Sequence, residues 1–88
     1  MKLNVKAVAI ALGLVWGILA MFLTGLLNLI WSGYGRGFLD VMASVYPGYS
    51  ATGGFGNLIV GTIYGLADGA IAGAVYAWLY NRLAHAPA

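Results

Sequence analysis

Apolar residues run without a charged interruption from position 7 to position 31, and again from 58 to 80 with a single break at Asp68. At ~1.5 Å of rise per residue, either stretch can cross a hydrocarbon core ~30 Å thick with some tilt. A lone strand in lipid leaves backbone groups unpaired, whereas a helix pairs its own, so both stretches are expected to be transmembrane helices. Asn57 stands before the second stretch, and Asn81 and Arg82 close it. The pattern between them changes. The glycine-rich Ser32-Gly33-Tyr34-Gly35-Arg36-Gly37 is followed by Phe38, Met42 and Val45 at helical spacing, with Asp40 and Ser44 elsewhere on the wheel. That spacing predicts a short amphipathic helix at the membrane interface over about 37–46. Tyr46-Pro47-Gly48-Tyr49 has the residue order of a type II turn. Residues 50–56 read as a flexible approach to the second span. The expected fold is an all-α membrane protein: a single membrane domain, 1–88, forming a two-helix transmembrane hairpin with a short amphipathic interfacial helix in the connecting segment.

Small residues sharpen this expectation. Gly61, Gly65, Gly69 and Gly73 recur every fourth position and form a groove along the second helix. Glycine weakens a helix in water, but in lipid it permits close backbone approach and weak Cα–H···O contacts. The first span has its own face of small or polar residues, Gly13, Gly17, Ala20, Thr24 and Asn28, at spacings that keep them on one side. The two faces can close the hairpin, or one of them can build a homo-oligomer.

Asp68 interrupts the second span near its middle. A carboxylate there costs ~2.5–3.5 kcal/mol on insertion scales unless it is protonated, paired or hydrated. No Lys, Arg or His lies at comparable depth. If Trp31 and Asn57 mark one end of the hairpin, Asp68 stands level with Ala20, and Trp16, Thr24 and Tyr64 are the expected hydrogen-bond donors. Being seven residues from Gly61, Asp68 is expected to project from the glycine face. Its structural role would be to fix helix register; its functional role would be to line a hydrated path together with Thr24 and Asn28.

Composition supports lipid as the solvent: 62% of the 88 residues are hydrophobic and only 7% are charged. Lys2, Lys6 and Arg82 flank the open end of the hairpin, against Arg36, offset by Asp40, in the connection. The positive-inside rule then places both termini in the cytoplasm of a multi-pass inner-membrane protein. Trp31, Tyr34, Arg36, Asp40, Tyr46 and Tyr49 are expected at one interface and Trp78 and Tyr80 at the other. A signal peptide is the competing reading of the first span, but the run exceeds an h-region of about 7–15 residues and no small-residue cleavage site closes it. His85, with no second ligand at metal spacing, reads as a solvated tail residue.

The net charge of +2 is too small for nucleic-acid binding, and the lack of cysteine excludes disulfides and thiolate metal sites. Two carboxylates and one histidine at three levels do not make a catalytic site, so neither enzymatic activity nor a cofactor is expected. Gly33-Tyr34-Gly35 is too early in the chain for a potassium-channel filter, which follows its pore helix. A proton-carrying ring subunit of a rotary ATPase shares the mid-membrane acid, but its glycine stripe lies on the other helix.

Met1-Lys2-Leu3-Asn4-Val5-Lys6-Ala7, Trp16-Gly17, Gly33-Tyr34-Gly35, Tyr46-Pro47-Gly48-Tyr49, Tyr64-Gly65, Asp68-Gly69 and Ala77-Trp78-Leu79-Tyr80-Asn81 extend over nearly the whole chain. In these motifs the chain resembles a family of short prokaryotic two-span proteins, usually uncharacterised and sometimes labelled bacteriophage holin. The resemblance implies a homo-oligomer that permeabilises the cytoplasmic membrane. The competing expectation is a non-catalytic structural or accessory subunit of a larger membrane complex or array.

Overall fold

The computed structural model describes residues 2–50 and 54–84 and is all-helical among them. Residues 51–53 of the expected flexible approach and His85 lie outside the described residues. Two helices are long and apolar enough to cross a membrane, α1 (Val5–Ile30) and α3 (Phe55–Ala84), and the short helix α2 (Arg36–Val45) lies between them. The long helices pack against each other in a body 52 Å long and 19 × 18 Å across.

The long helices do not stop where the apolar runs do, because their ends are set by local hydrogen bonding: α1 begins two residues before its run and ends one residue short of it, and α3 overruns its own at both ends. Asn4, in an extended backbone conformation, caps α1 by accepting the Ala7 N–H at 3.0 Å. Trp31 leaves the helix in an extended conformation, and Asn28 holds the exit by donating to the Tyr34 carbonyl at 2.8 Å. The Leu58 N–H bonds back to Gly54, so α3 begins before the apolar run does.

The hairpin closes on the glycines. Gly61, Gly65, Gly69 and Gly73 are all buried, as are Gly13 and Gly17 on α1. A Cβ on Gly65 would lie 2.9 Å from the Gly17 Cα, and one on Gly69 would lie 2.9 Å from the Gly13 Cα. These two pairings fix the register, and Asp68 stands level with Leu14 rather than Ala20. The difference of six residues, ~9 Å, arises because aromatic and asparagine end markers tolerate sliding, whereas two backbones in contact do not.

Val15–Phe22, within α1, is π-helical; at its end the Leu23 N–H reaches back five residues to the Ile18 carbonyl. The wider turn keeps residues four to five apart on one side. Met21, four residues after Gly17, takes the buried position expected of Ala20, which is half-buried, and lies against Gly61 and Gly65.

The helix α2 forms as the spacing predicts, but with its face rotated. Leu39 is buried, Phe38, Met42 and Ala43 pack around the same cluster, and Val45 is exposed. This side meets the flank of the hairpin: the Phe38 ring stands edge-on to Trp16 at 5.9 Å. The chain then reverses at Tyr46-Pro47-Gly48-Tyr49. Gly48 has a positive φ and the Tyr49 N–H bonds to the Tyr46 carbonyl at 3.1 Å, as a type II turn requires.

At the opposite end of the hairpin, the Leu3 N–H donates to Asn81 Oδ1 at 2.7 Å and Asn81 Nδ2 donates to the Leu3 carbonyl at 2.9 Å. Replacing Asn81 with alanine removes both bonds, at a cost of about 1 kcal/mol in a half-exposed setting. The expected result is several-fold faster amide exchange at Leu3 with protection at the centre of α3 unchanged; an unaltered Leu3 rate would show that the clasp is not a constraint.

Candidate functional site

Asp68 lies near the middle of α3, 13 residues after its first residue and 16 before its last. It does not project from the glycine face. Residues four apart drift about 40° round a helix, so the buried stripe turns away between Gly61 and Gly73. Asp68 lines up with Gly61 but stands about 100° from its neighbour Gly69, on the exposed edge of the contact.

Its hydrogen-bond donor comes from the connecting segment. Tyr46, only 4% exposed, donates from its hydroxyl to Asp68 Oδ2 at 2.8 Å, and Trp16 Nε1–H donates to that same hydroxyl at 2.7 Å. The result is a relay from α1 through the α2 turn to α3. Burial pushes the Tyr46 phenol above its ordinary pKa; the Trp16 hydrogen bond opposes that shift and the Asp68 carboxylate adds to it. The phenol therefore remains protonated and available as a donor. The Tyr46 ring lies flat on Tyr64, with centroids 4.9 Å apart and planes 9° apart, and meets Tyr49 edge-on at 6.4 Å.

The other expected donors are engaged elsewhere. Trp16 reaches Asp68 only through Tyr46, and the Tyr64 hydroxyl donates to the Pro47 carbonyl. Thr24 is ten residues along α1 from the level of Asp68, with its methyl against Gly35. Asn28 serves the end of α1. A wet lining shared by Asp68, Thr24 and Asn28 is therefore not brought together. Tyr46 and Tyr49 lie in the core rather than at a surface. Trp31, Tyr34, Trp78 and Tyr80 are exposed near the helix ends, and Arg36 and Asp40 form an exposed i,i+4 pair at 3.5 Å.

The sequence signal for Tyr46 was its continuation of the buried face of α2 from Leu39 through Met42 and Ala43. An assignment of every loop tyrosine to the interface hides that signal. The clasp from Asn81 to Leu3 had no sequence signal beyond an asparagine at a helix end.

A groove of about 290 Å³ opens beside the relay, lined by Leu12, Val15, Trp16, Asp68, Gly69 and Ala72. Its wall is apolar apart from the carboxylate and the edge of the indole. A carboxylate has about four acceptor sites, and one donor, Tyr46, is found for it among the described residues. A hydrogen bond to a carboxylate contributes about 1.5–3 kcal/mol, comparable to the insertion cost. No group of three or more potential metal ligands occurs among the described residues. The arrangement suits holding a proton, a cation or a hydrogen-bond donor that enters from the side of the hairpin.

Comparison with protein-family models, with curated proteins and with solved structures found no match.

Proposed function

We propose that the chain is a small, non-enzymatic membrane protein that assembles with copies of itself, the Asp68 groove turned toward a neighbouring subunit, and that the assembly raises the permeability of a prokaryotic inner membrane in a holin-like way. Both termini then lie on the cytoplasmic side. The observation that carries this reading is Asp68 itself, exposed on the flank of a helix long enough to span and held by one phenol. An acid at that depth favours a protein or water neighbour over lipid. The glycines are taken up inside the hairpin, so the groove is the face with a physical reason to be covered.

Purified protein in liposomes should release a trapped dye or ions, and Asp68→Asn should change the rate at least several-fold while leaving the hairpin intact. Vesicles that remain tight at high protein load would overturn the permeability reading. A second reading, an accessory subunit of a larger complex, is favoured by the absence of a cationic side chain beside Asp68 among the groove residues. A partner helix carrying Lys or Arg would supply one. It predicts a stoichiometric heterologous partner in mild detergent and no self-association of the isolated chain.

A further inference from the structure

The end of the hairpin where Leu3 meets Asn81 has an organisation that helix closure alone does not need. Asn81 uses both its amide oxygen and its amide nitrogen on the Leu3 backbone. Leu3 is thereby fixed beside the last turns of α3, and Lys2 is carried to the same side as Arg82. The Arg82 guanidinium carbon lies 5.3 Å from the centre of the Trp78 ring, one turn earlier. A guanidinium on an aromatic face is held in orientation while the donors along its edge remain free to meet an anion. Lys2, Val5, Trp78, Asn81 and Arg82 enclose an open pocket of about 250 Å³.

The charge in this pocket is not compensated by an acidic side chain. The chain has two of these, Asp40 and Asp68. Asp40 pairs with Arg36 and Asp68 accepts from Tyr46, both away from the pocket. The two ends of the hairpin therefore differ: the loop end carries one cation already neutralised, and the clasped end carries three, Lys2, Lys6 and Arg82, of which Lys2 and Arg82 line one cavity. Val5 and Trp78 supply an apolar wall next to the charges, which suits a ligand with a phosphate at one side and a glycerol or acyl segment at the other. Tryptophan and basic residues at the end of a spanning helix lie at headgroup level, and basic pockets there take anionic headgroups.

We propose that Lys2 and Arg82, over the wall formed by Val5, Trp78 and Asn81, form a binding site for the phosphate of an anionic phospholipid headgroup. The site depends on α1 and α3 spanning a bilayer and not on self-assembly. Arg82 meets the phosphate with paired N–H donors and Lys2 supplies a second point charge. The Asn81 clasp is the positioning device that brings the two together.

The test uses the full chain in mild detergent, titrated with phosphatidylglycerol, with phosphatidylcholine and with inorganic phosphate, and read by native mass spectrometry. Phosphatidylglycerol should be retained about thirtyfold more strongly than phosphatidylcholine, given two cations at the surface. The double variant Lys2→Gln/Arg82→Gln should lose that preference, and Arg36→Gln should keep it. Circular dichroism reports whether the helices persist. If the double variant unfolds, Arg82→Lys decides: weaker phosphatidylglycerol retention supports the site, and retention equal to the parent overturns it. Equal retention of both lipids by the parent overturns the proposal, as does a folded double variant that binds like the parent. Displacement of the lipid by millimolar inorganic phosphate would assign the site to a free anion and overturn the lipid.

Discussion

Replacing Gly69 with leucine is expected to open the hairpin. The first atom added, Cβ, would already lie 2.9 Å from the Gly13 Cα and closer still to the Leu12 carbonyl, both backbone groups of a helix with no room to turn aside. Overpacking a core typically costs ~1–3 kcal/mol when side chains can give way. Here the obstruction is backbone on both sides, so about 3 kcal/mol or more is expected. Gly13 and Gly17 would be displaced together with Gly69 and Gly65, because these pairings share one pair of axes. Unfolding in mixed micelles, followed by circular dichroism and by energy transfer between the helix ends, measures the loss. The control is Gly37→Ala, where an added Cβ meets nothing within 4 Å. Helix propensity alone predicts a gain of up to about 1 kcal/mol there. Equal stabilities for the two variants would show that glycine contact does not hold the hairpin.

The second large effect belongs to Tyr46. Truncation to alanine removes a buried ring stacked on Tyr64 and both hydrogen bonds of the relay. Losses of ~3–5 kcal/mol are usual when a buried aromatic side chain becomes alanine. The effect should be local: the amides of α2 should exchange much faster, while those of α1 and α3 facing the glycine contact remain protected. Tyr46→Phe separates the contributions, since it keeps the ring and deletes the hydroxyl. Its cost should be about 1.5–3 kcal/mol, and the emission of Trp16 should shift as its indole N–H loses an acceptor. An α2 that stays protected in Tyr46→Ala would mean that the Leu39 and Met42 packing holds the segment by itself.

The hairpin and the glycine stripe were legible in the sequence because both rest on local periodicity, whereas the packing of the stripe on the same chain rather than on another was one of two open alternatives. An apolar run of helical length and a glycine at every fourth position survive any choice of register. The level of Asp68 was not legible. It depends on which glycine of α1 meets which glycine of α3, and small residues recur along both. Nor was the π-helical stretch Val15–Phe22, or the burial of Met21 rather than Ala20 after Gly13 and Gly17; spacings of three and of four both keep a residue on one helix face, and the sequence does not choose between them. For the site, the acid and Trp16 were identified and the connecting phenol was missed. Tyr46 is 22 residues from Asp68 and 30 from Trp16, and separations of that size leave no imprint on nearest-neighbour spacing.

The Asn81 clasp also constrains the order of events during synthesis. Leu3 and Asn81 are 78 residues apart in the chain. At ~5–20 residues per second, translation separates their appearance by roughly 4–16 s. Within that interval α1 is complete at Ile30, and Gly65 and Gly69 follow 35 and 39 residues later, so Gly17 and Gly13 lack their partners for roughly 2–8 s. For the first part of it, until Tyr46 emerges, the Trp16 indole N–H lacks its acceptor as well. The nascent first span is thus a solitary helix with an unfilled notch, and any chaperone or neighbouring helix acting on it has only those seconds in which to do so.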